Sequence, residues 1–385
     1  MKRAGNLTER VADMDNLVAA FCLAQRGKQA KDDVSRYREH LMDNLAVMRQ
    51  RILAANVYVG RYHVFTIYDP KQRQICAADF DERVLHHALM RVCHPVFDRQ
   101  LIFDTYATRI GKGTYAALDR AHHAMTRYRY VAKLDVRKYF DSIDHHVLMT
   151  LLERLFKDKR LLSIFEQIID SYHVAPGCGL PIGNLTSQYF ANHYLSPLDH
   201  FVKEVLRVPC YVRYMDDMLL FGDDKAALLR QVAEVQAFVA SRLRLSVKPP
   251  VVASSAQGIP FLGYRLQGFR IGLSARSRNR FARKLRLYEK WLRDGVFSQS
   301  QYFEHVTPLL AFVSHAYTKA YRRRLLKTVE GRRGRTACCA AAVGTTMRGT
   351  VGCPIATTTP PPTATTTTAS AWSCSHSLPL LPSFP

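Results

Sequence analysis

The spacing of apolar residues divides the first part of the chain into helices and strands. Within residues 10–55, apolar positions recur every three or four residues, as in "LVAAFCLAQ" and "YREHLMDNLAVMRQRILAA", so we predict helices there. The stretch "YVGRYHVFTIYD" alternates and is rich in β-branched and aromatic residues, which predicts a strand. Helical spacing returns in "DERVLHHALMRVCHPVFDRQL", and "YRYVAKLDVRKYF" predicts a second strand.

The same kinds of pattern continue through the second part. "HHVLMTLLERLF", "RLLSIFEQIIDSYH" and residues 226–243 have helical spacing, and "GIPFLGYRLQGFRIGL" predicts a β-hairpin. Residues 274–327 form a basic helical stretch. After Glu330 the chain has no acidic residue and is dominated by threonine, proline and alanine, a composition that cannot bury a core. We therefore expect residues 331–385 to be disordered.

Composition and charge narrow the function. The 385 residues are 48% hydrophobic, enough for two or three packed units, and the net charge of +23 suits a polyanionic partner. There is no apolar run of about 18 residues, so we expect no membrane span. The first residues lack the apolar segment of a signal peptide, so we expect a cytoplasmic protein. The nine cysteines form no Cys-x-x-Cys pair, which argues against a zinc site or a disulfide framework.

Two adjacent aspartates occupy the middle of the apolar, β-prone stretch "YVRYMDDMLLFG". Buried carboxylates are costly unless they are paired or hold a metal. Asp135 lies in a similar setting, at the end of the predicted strand in "VAKLDVRKYF". If these strands are neighbours in one sheet, Asp135, Asp216 and Asp217 converge and suit two Mg²⁺ ions acting in phosphoryl transfer. The alternative is that Asp216 and Asp217 only cap a hairpin turn.

Several ordered blocks resemble those of reverse transcriptases. "YMDD" resembles their catalytic signature and "LDVRKYF" their first catalytic block. "TYATRIGKGTYAAL" is similar to the fingers segment that faces the triphosphate, "GLPIGNLTSQYFAN" to the block that supports template and incoming nucleotide, and "FLGYRL" to the primer grip. The resemblance covers about residues 55–325.

The resemblance implies an α+β, right-hand polymerase with fingers, a palm of antiparallel sheet and helices, and a small helical thumb. The implied boundaries are 1–130 for the N-terminal helices and fingers and 131–273 for the palm, with a fingers insertion at about 150–185. The thumb follows at 274–330, and its basic helices are expected to contact a template–primer duplex. The low-complexity tail is 331–385.

Site roles follow from the same resemblance. Asp135, Asp216 and Asp217 are the implied catalytic residues, and together with Val136 they would bind two Mg²⁺ ions, with Mn²⁺ as a substitute. By position, Asp141 and Asp144 are expected to be structural or solvated.

Further residues are expected to contact the substrates. Phe140 occupies the place of a bulky aromatic that excludes a ribose 2′-hydroxyl, and Lys248 is a candidate proton donor to pyrophosphate. The predicted nucleotide-binding residues are Phe140, Arg109, Lys112, Lys71, Arg73, Ile182, Gly183 and Lys248. The predicted primer and template residues are Ser187, Gln188, Tyr214, Met215, Phe261, Leu262 and Gly263.

One position indicates a subclass. Many relatives carry Gln where this chain has Ile182, and an aliphatic side chain offers the nascent pair no hydrogen-bond donor. "PIGNLTSQ" and the compact thumb resemble reverse transcriptases of diversity-generating retroelements. These bacterial or phage enzymes copy a template-repeat RNA with frequent errors at adenines, and the cDNA rewrites a target gene. The resemblance also implies a small, basic, oligomeric accessory protein.

The tail bears on the same subclass. If the reading frame is shifted by one nucleotide, the codons of the threonine runs can be read as AAC. Such codons resemble the variable end of a target gene that these elements diversify. The reading frame would then overrun into the template repeat; the alternative is a plain low-complexity linker.

Three other functions stay open. One is a group II intron-like or retron-type reverse transcriptase, although no endonuclease or maturase extension is expected after the thumb. Another is an RNA-dependent RNA polymerase, in which an aromatic at Phe140 would be unexpected. The last is a catalytically silent, RNA-binding module with a polymerase-like fold.

Overall fold

The computed structural model describes residues 2–68 and 72–330, with only the backbone described for 326–330. Lys71 and the tail 331–385, for which we predicted a phosphate contact and disorder, lie outside the described residues. The described chain divides into two compact units, the first ending at Asn279 and the second beginning at Arg280. This division falls close to the predicted start of the thumb at residue 274. No helix of the described part is long and apolar enough to cross a membrane.

Four helices open the first unit, in the region where helical spacing predicted them. They are α1 Thr8–Val11, α2 Met14–Ala24, α3 Asp32–Glu39 and α4 Leu41–Leu53. Asp13 caps α2 by accepting hydrogen bonds from the backbone N–H groups of Asp15 and Asn16. The apolar face of α2, including Leu17 and Phe21, is buried against α5 (Phe80–Gln100).

An antiparallel hairpin precedes α5. Its strands are β1 Tyr62–Ile67 and β2 Arg73–Ala78, paired so that Tyr62 faces Ala78. The sequence predicted β1 but not β2, because "RQICAA" is short and lacks a clean alternation. After α5, a loop leads into α6 (Thr114–Arg127).

The site is positioned by a four-stranded antiparallel sheet. Its strands are β3 Tyr130–Asp135, β4 Cys210–Tyr214, β5 Asp217–Gly222 and β6 Val251–Ser254, and their order is β4-β5-β3-β6. Helices between these strands are α7 His145–Leu155, α8 Lys159–Asp170, α9 Leu185–Tyr194, α10 Ser196–His200 and α11 Lys225–Leu243. Both α6 and α11 pack on the sheet. The core continues from Ala132 and Leu220 of the sheet into Val235 of α11.

The last elements are a small sheet and three helices. β7 Ile259–Phe261, β8 Tyr264–Gln267 and β9 Arg270–Leu273 form an antiparallel meander, where the sequence predicted only a two-stranded hairpin. The helices α12 Ala275–Arg293, α13 Gln299–Ser314 and α14 Lys319–Glu330 follow. Ser298 and Gln301 form a capping box that starts α13.

Candidate active site

Three aspartates lie at one end of the four-stranded sheet, which we call the carboxylate end. Only Met215 and Asp216 join β4 to β5. In the register of β3 and β5, Asp135 lies opposite Asp217. Opposite residues of antiparallel strands have Cα atoms about 4.5–5.5 Å apart. The sheet therefore brings together the three carboxylates that the sequence singled out, and their catalytic role stays a prediction.

The turn that carries Asp216 is tight and strained. Met215 has φ = 52°, a left-handed conformation that costs a non-glycine residue about 1–2 kcal/mol. Arg213 Nη1 donates to the Met215 carbonyl at 3.2 Å, and Thr114 Oγ1 donates to the Tyr214 hydroxyl at 3.2 Å. These contacts fix the backbone on which Asp216 sits.

The surroundings of Asp216 disfavour the charged form of its carboxyl. Burial, followed by the negative charges of Asp217 and Asp135, raises its pKa to about 6. No ion pair to Asp216 occurs within the described residues. A desolvated carboxylate beside two others is the electrostatic condition that a bound cation relieves.

Two lysines neutralise the flanking carboxylates. Lys248 Nζ lies 2.7 Å from Asp135 Oδ1, and Lys133 Nζ lies 2.8 Å from Asp217 Oδ1. The sequence predicted Lys248 as a proton donor to pyrophosphate; the structure places it at the carboxylate end, bonded to a predicted metal ligand. That role stays a prediction.

Lys133 was missed by sequence reasoning, although a signal was present. Side chains two apart in a strand lie on the same face of the sheet. Lys133 precedes Asp135 by that spacing on β3. A lysine on the face of a predicted catalytic aspartate was therefore visible before the structure was known.

The donor set fits Mg²⁺, which prefers oxygen ligands. Asp135, Asp216 and Asp217 would hold the ions, together with the Val136 carbonyl. The hydrogen bonds that tie this backbone to the segment before β6 run from Lys248 N–H to the Asp135 carbonyl and from Arg137 N–H to the Ser246 carbonyl. Neither of these two hydrogen bonds involves a backbone atom of Val136. As they stand, no three His, Cys, Asp or Glu side chains of the described residues are grouped closely enough to hold a metal.

A fully buried ion pair lies beneath the turn. Arg213 donates to both Asp199 oxygens, at 2.7 and 2.5 Å, and to Asn192 Oδ1 at 2.9 Å. Tyr211 donates its hydroxyl to the same carboxylate at 3.0 Å. Burial opposes the charged form, but Asp199 more than offsets this and raises the pKa of Arg213. Sequence reasoning assigned no role to Arg213 and missed this network.

The backbone of β4 is also tied to the loop before α6. The Arg213 N–H donates to the Asp104 carbonyl, and the Tyr106 N–H donates to the Arg213 carbonyl, both at 3.0 Å. This loop therefore covers the edge of the sheet next to the turn.

The block around Ile182 packs on the β1–β2 hairpin. The Ile182 carbonyl accepts a hydrogen bond from Cys76 N–H at 2.8 Å. Gly183 has φ = 128°, and a Cβ there would lie 2.9 Å from the Ile75 side chain, so only glycine fits. Ser187 is buried and Gln188 half-buried in α9. These four residues belong to the block that packs on the hairpin, and their contacts with nucleotide, primer and template stay predictions.

Phe140 is half-buried at the start of a 3₁₀ turn that follows β3. Its ring packs edge-on against Tyr139 at 5.8 Å between centroids, and its carbonyl accepts from Leu180 N–H. In the segment that follows, Asp144 caps α7 through the Val147 N–H and pairs with Arg244 at 2.8 Å, which accounts for it structurally.

Of the predicted phosphate-binding cations that the structure describes, Arg109 and Lys112 contact other protein groups. Arg109 pairs with Asp98 at 2.7 Å and donates to the Ile102 carbonyl at 2.6 Å. Lys112 contacts the Phe103 carbonyl and ring. Burial and then Arg109 lower the pKa of Lys112 to about 8. Arg73 is exposed at the start of β2.

A second tight turn carries Phe261, Leu262 and Gly263. Leu262 has φ = 47° and Gly263 φ = 87°, as a two-residue hairpin turn requires. Phe261 is buried. The Gly263 carbonyl accepts from Ser277 Oγ at 2.6 Å. The turn is thus anchored at both ends.

An antiparallel sheet that presents three carboxylates beside a two-residue hairpin turn defines a palm-type nucleotidyl-transferring polymerase. The comparison with protein families agrees: the reverse transcriptase (RNA-dependent DNA polymerase) family matches residues 69–266. The chain belongs to this family.

Curated relatives are distant. The chain is 23% identical to Protein YkfC of Escherichia coli over 59% of its own length and 73% of that protein. It is 22% identical to the group II intron-encoded protein LtrA of Lactococcus lactis over 38% of its length and 26% of that protein. With nuclear intron maturase 1 of Arabidopsis thaliana it shares 25% identity over 23% of its length and 12% of that protein. The chain therefore spans only a small part of the two intron proteins.

Solved structures of telomerase are also similar. The Candida albicans enzyme with a telomeric RNA fragment has a TM-score of 0.41 and 17% identity over 69% of this chain and 55% of that one. Apo telomerase of Candida tropicalis has a TM-score of 0.45 and 12% identity over 75% and 66%. The family assignment rests on the family match and not on these structures.

Proposed function

We propose that this protein is an RNA-directed DNA polymerase that makes cDNA with frequent errors at template adenines, from a template-repeat RNA. The observation that carries the polymerase is the register of β3 and β5, with Asp135 opposite Asp217 and Asp216 in the adjoining turn. The net charge of +23 suits an RNA template and an RNA/DNA heteroduplex.

In the proposed reaction, the primer 3′-hydroxyl attacks the α-phosphate of a dNTP and pyrophosphate leaves. Two Mg²⁺ ions, or Mn²⁺ in their place, would stabilise the attacking and leaving oxygens. Asp135 and Asp216 would hold the two ions, and Asp217 would assist. Lys248, which donates to Asp135 Oδ1 at 2.7 Å, would leave that carboxylate and donate a proton to pyrophosphate.

Substrate selection is proposed for residues around this centre. Phe140, the last residue of the first catalytic block, excludes the ribose 2′-hydroxyl. The turn of Phe261, Leu262 and Gly263 positions the primer, and Tyr214 and Met215 support its end. The basic helix α12 binds duplex phosphates.

The error-prone subclass is supported by Ile182. Its backbone carbonyl is bound by Cys76 N–H, and its aliphatic side chain cannot donate a hydrogen bond to a nascent base pair. Selection at that position then depends on shape alone. We also propose a small, basic, oligomeric accessory protein as partner, and a cytoplasmic location in a bacterial cell.

A second candidate is a group II intron-like or retron-type reverse transcriptase. The similarity to LtrA, an intron-encoded protein, favours it. The two candidates differ in fidelity, because only the first requires errors concentrated at adenines.

One experiment tests both levels of the proposal. Primer extension on an RNA template with Mg²⁺ and dNTPs is compared between the wild type and Asp216→Asn, and the products are sequenced. We expect extension only by the wild type, with errors at template adenines. Accurate extension would leave the intron-like candidate, and no extension, even with accessory protein and structured RNA, would favour a silent RNA-binding module.

A further inference from the structure

We infer that Lys133 is a positioning residue that couples the third aspartate to the turn of Phe261, Leu262 and Gly263. Its Nζ lies 2.8 Å from Asp217 Oδ1 and donates to the Pro260 carbonyl at 3.2 Å. One ammonium group thus joins the carboxylate end to β7. This inference rests on the proposed polymerase function.

The local geometry leaves Lys133 few other roles. Its backbone is fixed in the centre of the sheet, opposite Leu219 of β5 and Val251 of β6. Its side chain is 19% exposed, so most of it is out of solvent while the charged end lies at the site. The ammonium donates a hydrogen bond to the Pro260 carbonyl, whereas its contact with Asp217 Oδ1, which accepts no hydrogen bond from the described residues, is an ion pair.

The charge of Lys133 acts on metal affinity in a predictable direction. A positive charge beside Asp217 competes with a divalent cation for that carboxylate and repels the cation. When a cation binds Asp217, Lys133 is released from the carboxylate but can keep the Pro260 carbonyl. Metal binding at one end and the position of β7 at the other are therefore linked through this side chain.

The test measures Mn²⁺ binding to the full chain by electron paramagnetic resonance, without nucleotide or primer. We expect Lys133→Met to tighten Mn²⁺ binding about threefold or more, because the competing charge is gone. The same variant should raise KM for template–primer, because β7 loses its tether. A merely structural defect would weaken both, so the opposite signs identify coupling.

Three controls complete the design. Lys225→Met removes an exposed lysine at the other end of β5 and should change neither quantity. Lys133→Arg keeps the charge and the donors and should restore both towards wild type. In an Asp217→Asn background, Lys133→Met should no longer tighten Mn²⁺ binding, because the competing pair is already lost.

The outcomes separate the two levels of argument. Wild-type Mn²⁺ affinity in Lys133→Met, or weaker affinity, would overturn the coupling while leaving the polymerase intact. Lack of Mn²⁺ binding in the wild type and in Lys133→Met would instead overturn the metal role of the three aspartates, and the coupling with it.

Discussion

Two kinds of cation–carboxylate pair lie next to the same hairpin turn, and they differ in burial. Arg213 and Asp199 are 0% exposed, and the guanidinium has further acceptors on Asn192 and Met215. Lys133–Asp217 and Lys248–Asp135 keep between 19% and 43% side-chain exposure. The buried pair cannot open without stranding a charge, whereas the lysine pairs can exchange for solvent or a cation at small cost. The buried pair fixes the turn, whereas the lysine pairs leave Asp135 and Asp217 available to bind a cation.

The largest expected effect is on the buried pair. Arg213→Met leaves the Asp199 carboxylate buried without its partner, so we expect the free energy of unfolding to fall by about 3–5 kcal/mol. Urea unfolding followed by circular dichroism measures it. Arg213→Met combined with Asp199→Leu should recover part of the loss; a single-variant loss below about 1 kcal/mol would put this pair in the class of the lysine pairs.

The next effect concerns Asp216: its replacement should raise stability, whereas the replacement of Arg213 lowers it. The folded Asp216 carboxyl keeps its proton up to about pH 6, but the unfolded one releases it near pH 4. The metal-free protein should therefore lose stability as pH rises through this window, by about 2 kcal/mol. Asp216→Asn should abolish extension yet remove this loss, because no charge is then buried.

Urea unfolding of the wild type and Asp216→Asn in chelator at pH 4.5 and 7.5 checks this prediction. The stability difference between the two proteins should be larger at pH 7.5. If it is equal at both pH values, Asp216 is not crowded by its neighbours in the folded protein.

Arg109 is intermediate in burial between the arginine of the buried pair and the two lysines. Its guanidinium is 10% exposed and bonds to Asp98, Ile102 and Thr105. We expect Arg109→Met to cost about 1–2 kcal/mol of unfolding free energy, since charge-assisted hydrogen bonds are lost. If Arg109 also leaves Asp98 to bind the triphosphate, Arg109→Met should in addition raise KM for dNTP, which steady-state extension assays measure.

The smallest effect is expected at Lys248. Lys248→Met should change stability by less than about 1 kcal/mol, because the pair is half-exposed and screened by salt. Extension should slow, most of all in the chemical step, if Lys248 protonates pyrophosphate. Rapid-quench measurement of a single turnover separates the effect on chemistry from the effect on stability. A stability loss as large as that of Arg213→Met would contradict the distinction between buried and half-exposed pairs.

The sequence predicted the carboxylate end well because its signals are local. Asp135 ends one apolar stretch, Asp216 and Asp217 lie in the middle of another, and carboxylates in such settings are visible in a short window. The family match supports the same region. The strands β2 and β6 were missed because each is short and stabilised by its neighbours more than by its own pattern.

Charge partners were harder to predict because they are tertiary. Arg213 alternates with apolar residues in β4 and would face solvent on pattern alone, yet it is fully buried because Asp199 of α10 lies beneath it. Arg109, two residues before Gly111, resembled a phosphate ligand, but it pairs with Asp98 of α5. No window of sequence contains both partners of these pairs at a spacing that specifies contact.

The order of strands in the sheet has a consequence for how the protein is made. β3 lies between β5 and β6, and both neighbours follow it in the chain, the nearer by about 80 residues. On the ribosome, Asp135 therefore emerges long before either strand that will flank it. The three carboxylates cannot come together in a nascent chain until the "YMDD" hairpin has left the exit tunnel.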